Sequence, residues 1–71
     1  MPKKIYKFDF EPMHVFRVFW DKERYAVIIR FNMSELYKPL EAGEKDNYFE
    51  QLEAYMLNSR IGLEVHDYEE N

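Results

Sequence analysis

The 71-residue chain contains no cysteine, so disulfides and thiolate metal sites are excluded, and a small disulfide-free domain fits a reducing, cytoplasmic setting. Glycine occurs only at Gly43 and Gly62, and neither belongs to a phosphate-cradling pattern. Serine is equally scarce. Ser34 is explained as a helix cap and Ser59 by its place at a helix end, so no nucleophile with its base is visible. Long apolar runs are missing too: the basic Met1-Pro2-Lys3-Lys4 leads into a segment interrupted by Lys7 and Asp9, which reads as neither signal peptide nor membrane span. At this length about 60% of the surface can be buried, which leaves no room for a deep enzyme cleft beside a core. The expectation is one soluble, non-enzymatic domain over residues 1–71, with no cofactor.

What is abundant is charge, unevenly placed. The net charge is −4, but Met1 to Ser34 holds seven basic residues against four acids, and Glu35 onward holds ten acids against three bases. A basic first half and an acidic second half bear on partners and steering rather than on fold.

The strongest structural signal runs from Met13 to Phe31, two apolar runs hinged on Asp21 to Arg24. Side chains alternate faces along a strand, so a hairpin's register can be tested by whether both apolar sets fall together. With Asp21 to Arg24 as the connection, Trp20 meets Tyr25, Val18 meets Val27, Phe16 meets Ile29 and His14 meets Phe31, giving one apolar core face. The opposite face carries Val15, Arg17, Phe19, Ile28 and Arg30. Strands are therefore predicted at about 14–20 and 25–31, joined by a loop built on a type I turn.

Alternation of Tyr6, Phe8 and Phe10 with Lys7 and Asp9 predicts a further strand at about 3–10, ending at Glu11-Pro12. Ser34 opens a short helical turn at 34–38, which the restriction before Pro39 ends. Asn47 and Glu50 resemble a capping box opening a helix over about 48–58, with Tyr48, Phe49, Leu52, Tyr55 and Met56 on one stripe and Glu50, Gln51, Ala54 and Asn58 facing away. Gly62 is the expected helix terminator, and alternation of Ile61, Leu63 and Val65 predicts a last strand at 61–66 before an acidic tail, 67–71. The fold class is α+β: a small antiparallel sheet in the order β-β-β-α-β, with one main helix on one face.

No residue pattern specifies chemistry. His14 reads as a structural histidine on the core face. Glu64 and His66, with Asp67 adjacent, supply too few ligands for a metal. Two surfaces remain. On the loop and helix, Glu44, Asp46, Glu50 and Glu53 could occupy a cationic groove on a protein partner as phosphates would, with Phe19 and Trp20 at the hairpin tip as anchors. In size and composition the chain resembles small virus- or plasmid-encoded proteins that block nucleic-acid enzymes. The alternative is a single-strand nucleic-acid face of Lys7, Arg17, Phe19 and Arg30, disfavoured by the negative total charge. A sheet face left uncovered by one helix also suits a protein contact or a homodimer interface.

Overall fold

The two apolar runs form the centre of a four-stranded sheet in a computed structural model that describes residues 3–69. Strand β1 (Val15–Asp21) pairs antiparallel with β2 (Ala26–Phe31), Val18 opposite Ile29 and Trp20 opposite Val27. The connection is therefore Lys22 to Tyr25, and the register is offset by two residues from that expected. A two-residue offset preserves parity, so Val18, Trp20, Val27 and Ile29 still share the core face. The offset is stabilised by Asp21, which is 4% exposed. Its carboxylate accepts the Glu23 and Arg24 amide protons at 3.1 and 3.2 Å and pairs with Arg24 Nη1 at 3.2 Å. Tyr25 then turns the corner at φ 50, a conformation disfavoured for a side chain with a Cβ. Its surroundings hold it there. Its carbonyl accepts Leu40 N–H at 2.9 Å, its hydroxyl accepts Gly43 N–H at 3.1 Å, and its ring sits edge-on to Trp20 at 4.9 Å.

A register break between Val15 and Arg17 bulges Phe16 out of the ladder, leaving it 68% exposed. Phe16 is thus not a core residue. Nor is His14, which lies exposed in a 3-10 turn at Pro12–His14, 3.8 Å from Glu11.

Residues 34–38 do not form a helical turn. Glu35–Pro39 is strand β3, antiparallel to β2. A row of fair helix formers is drawn into extended conformation by the open edge of β2, a case of tertiary pairing overriding weak local preference. The last strand, β4, is shorter than expected, Val65–Asp67, and lies parallel to β1. The sheet is therefore mixed, with order β3-β2-β1-β4. The α+β class and the chain order β-β-β-α-β are as expected, but the expected strand at 3–10 is not in the sheet and Glu35–Pro39 supplies a strand in its place, so each of the first three strand positions is taken by the next segment along the chain.

Helix α1 (Lys45–Leu57) covers one face of the sheet. It opens at Glu44 without a side-chain cap, so Asn47 and Glu50 do not form the expected capping box. It closes through Arg60 at φ 61, whose N–H donates to Leu57 O while Ile61 N–H donates to Met56 O. This is the Schellman arrangement, with an arginine doing what Gly62 was expected to do. Tyr48, Leu52 and Met56 are buried against Val18, Trp20, Val27, Ile29 and Leu40. Burying each of Val18, Val27, Ile29 and Leu52 contributes roughly 1.5–3 kcal/mol. One helix on one sheet makes two layers, consistent with a short axis of 18 Å.

Residues 3–10 form no strand and join no ladder. They run as a strap over α1 instead, and polar side chains of the helix supply its backbone partners. Gln51 Oε1 accepts Tyr6 N–H at 2.9 Å, while Lys4 O accepts Gln51 Nε2 at 2.7 Å and Asn47 Nδ2 at 2.9 Å. Gln51 therefore faces the strap rather than solvent. The strap's alternation is used, with Tyr6, Phe8 and Phe10 packing on Tyr48, Tyr55 and Phe31 at ring separations of 4.9 to 5.6 Å. The Tyr55 hydroxyl donates to Phe10 O.

Candidate functional site

The acidic residues of the loop and helix divide into two groups. Glu44 turns toward the strap: its carboxylate accepts Glu41 N–H at 2.8 Å and lies 3.3 Å from Lys4 Nζ. The Tyr6 hydroxyl, sealed from solvent without a hydrogen bond of ordinary geometry, faces the same carboxylate. The Glu41 amide bond, then the Tyr6 hydroxyl and Lys4, hold Glu44 below the usual carboxylate range. Burial first, and the Glu44 carboxylate second, push the Tyr6 phenol up to about 12. Burial also raises Tyr48 to about 12, with the neighbouring Tyr6 adding to the shift. None of this cluster was legible as a site in the sequence, since it depends on the strap crossing the first turn of α1.

Asp46, Glu50 and Glu53 form the second group. Spaced four and three residues apart, they fall on one exposed face of α1. With Phe49, Ala54 and Leu57 they line a shallow groove, where Leu57 is 54% exposed. Lys3 approaches Glu50 at 3.7 Å, both side chains being largely solvated, so that pairing is weak. The helix thus presents three carboxylates in a row that ends at an exposed apolar residue.

The hairpin anchors separate. Trp20 is 6% exposed, enclosed by Tyr25 and Phe49 with Lys45 Nζ 4.7 Å above its ring. Because the connection lies one residue beyond its expected start, Trp20 sits inside the ladder on the core face, and it cannot anchor a partner without unfolding. Phe19 lies on the uncovered face, half-buried among Arg30, His66 and Tyr68.

Of the alternative nucleic-acid residues, Arg17, Phe19 and Arg30 share that uncovered face, joined by Tyr37 through its pairing with Ile28. Lys7 does not; it belongs to the strap and lines a hollow beside Leu36 and Lys38. Arg30 is also engaged. Its Nε and Nη2 both lie 3.1 Å from Glu35 Oε2, and its guanidinium covers the Phe19 ring at 4.8 Å. A base stacking on Phe19 would have to displace it.

Glu64 and His66 approach to 3.6 Å, and among the described residues no group of three potential metal ligands occurs. No helix among them is long and apolar enough to cross a membrane. Comparison of the chain with protein-family models, with curated proteins and with solved structures gives no match.

Proposed function

We propose that the protein is a non-enzymatic interaction module that occupies a basic surface of a protein partner, in the manner of a small acidic inhibitor or regulator of a nucleic-acid-handling protein. The observation supporting this reading is the solvent stripe of α1, where Asp46, Glu50 and Glu53 form a row that ends at the exposed Leu57. A helix rises 1.5 Å per residue, so these charges recur about every 5 Å along the axis. That density is of the same order as the roughly 3.4 Å spacing along one DNA strand. A cationic groove shaped for phosphates is therefore offered carboxylates at a comparable pitch, with Leu57 as an apolar contact at its end.

The test is charge reversal. In the Glu50→Lys, Glu53→Lys variant, both sites being exposed, stability should change by no more than about 0.5 kcal/mol per site, checked by circular dichroism. Capture of basic partners from extracts of the native cell, identified by mass spectrometry, should fall sharply at low salt. Undiminished capture would remove the electrostatic reading. The convergence of Arg17, Phe19 and Tyr37 on the uncovered face favours single-strand nucleic-acid binding as a second reading, which a flat anisotropy titration at low salt would eliminate.

A further inference from the structure

We propose that the outer edge of β3 pairs antiparallel with β3 of a second copy, about a two-fold axis through Leu36, to make one continuous eight-stranded sheet. Among the described residues no element pairs with that edge, and all five residues of β3 are exposed. The opposite edge, β4, is only three residues long, too short to template much pairing.

The direction of each backbone group on β3 follows from two hydrogen bonds. Phe31 N–H donates to Ser34 O at 2.8 Å, and Leu40 N–H donates to Tyr25 O at 2.9 Å. Bonded and non-bonded pairs alternate along an antiparallel ladder, so Leu36 and Lys38 bond inward to β2. Glu35 and Tyr37 direct N–H and C=O outward, as Pro39 does its carbonyl alone. An antiparallel partner about a two-fold must keep each side chain on its own face, which leaves few registers. With Glu35 on the axis, two carboxylates stand directly opposite, which is destabilising. With Tyr37 on the axis, Lys38 faces Leu36 of the second copy, and the Glu35 carbonyl meets Pro39, which has no N–H. With Leu36 on the axis, Glu35 and Tyr37 exchange both bonds with Tyr37 and Glu35 of the second copy, and Lys38 faces Ser34.

The side chains favour the same register. On the helix-covered face, Val65, Val18, Ile29 and Leu36 form one cross-strand row, which ends at the edge with Leu36 38% exposed. Leu36 against Leu36 continues that row into the second sheet. A hollow between the strap and Leu36 leaves space for it. On the other face Glu35 is already neutralised by Arg30, so no unpaired charge is buried. Being isologous, the contact closes at two copies. The proposal does not depend on the acidic face of α1.

Sedimentation of the full chain over a concentration series should show a monomer–dimer equilibrium, from 8.8 kDa to twice that mass. Hydrogen exchange read by NMR should show Leu36 and Lys38 amides protected at every concentration, and Glu35 and Tyr37 amides protected only as dimer forms. Leu36→Lys sets two ammonium groups across the axis and removes the apolar contact, and should weaken dimerisation about tenfold or more. A single monomeric species up to the solubility limit would overturn the proposal. So would a dimer in which Glu35 and Tyr37 exchange as in the monomer, or a folded Leu36→Lys protein that dimerises like the parent. If that variant does not fold, the amide pattern of the unaltered chain decides alone.

Discussion

Replacing Gln51 by alanine removes the device that holds the strap. The Gln51 amide accepts Tyr6 N–H at 2.9 Å and donates to Lys4 O at 2.7 Å and to Asn47 Oδ1 at 2.9 Å. Two of these bonds fix strap backbone that has no ladder partner. Each hydrogen bond is worth a net 1 kcal/mol or so, so Gln51→Ala should cost about 2 kcal/mol. In a domain of this size that corresponds to a fall in melting temperature of roughly 8–16 °C. Asn47→Ala loses one direct strap bond, Asn47 Nδ2 to Lys4 O, and should cost about half as much. The aromatic contacts of Tyr6, Phe8 and Phe10 remain in both variants, so the strap should loosen rather than leave. The discriminating observable is the Tyr6 amide: protected from exchange in the parent, it should exchange rapidly in Gln51→Ala and stay protected in Asn47→Ala. A Gln51→Ala protein with Tyr6 still protected and a melting temperature unchanged within about 2 °C would refute the clamp.

Burial separates the two aromatic residues of the β1 tip. Trp20→Ala should cost about 3–5 kcal/mol, enough to unfold much of a marginal domain. Phe19→Ala, half-buried, should cost about 1–2 kcal/mol; equal losses in urea titrations would contradict the placement of Trp20. The raised phenols predict alkaline sensitivity. Between about pH 10 and 12 the unfolded chain releases the Tyr6 and Tyr48 protons while the folded chain keeps them, so stability falls as pH rises. The Tyr6→Phe, Tyr48→Phe protein should show a shallower decline over that window. At the acid end the sign reverses: the depressed Glu44 carboxyl contributes stability that is lost as pH falls through its folded value, and Glu44→Gln should flatten that part of the profile.

Parity was the most durable information in the sequence. The faces of β1 and β2 follow from period two, and a two-residue offset leaves them intact, so Val18, Val27 and Ile29 were legible as core. The offset itself was not, because it depends on the buried Asp21 carboxylate closing the turn and on Tyr25 accepting a left-handed backbone. Trp20 was misplaced for that reason. Phe16 was lost to a bulge, which inserts one residue with no compositional mark. The alternation of Tyr6, Phe8 and Phe10 signalled one shared apolar face but not its setting, because periodicity does not say whether the backbone's partners are a strand or the side chains of a helix. Glu35 to Lys38 favours a helix weakly, and the free edge of β2 outweighs it. The solvent stripe of Asp46, Glu50 and Glu53 was readable from helical spacing alone, whereas the withdrawal of Glu44 from it required Lys4 and Tyr6 to arrive from the far end of the chain.

The parallel pairing of β4 with β1 has a consequence for how the sheet is assembled in time. Val18 and Val65 are partners although 47 positions apart, while every other strand pair closes through a short local connection. On a ribosome emitting about 5–20 residues per second, the hairpin and β3 have seconds to form before residues 65–67 exist. Throughout that interval β1, the apolar centre of the finished molecule, is itself an edge strand able to template foreign chains. Closing a parallel pair across so long a separation is also intrinsically slow. The vulnerable species is thus the nascent three-stranded form, and chaperone dependence or aggregation during expression should respond more to substitutions at Val65 and His66 than their modest burial in the folded state would suggest.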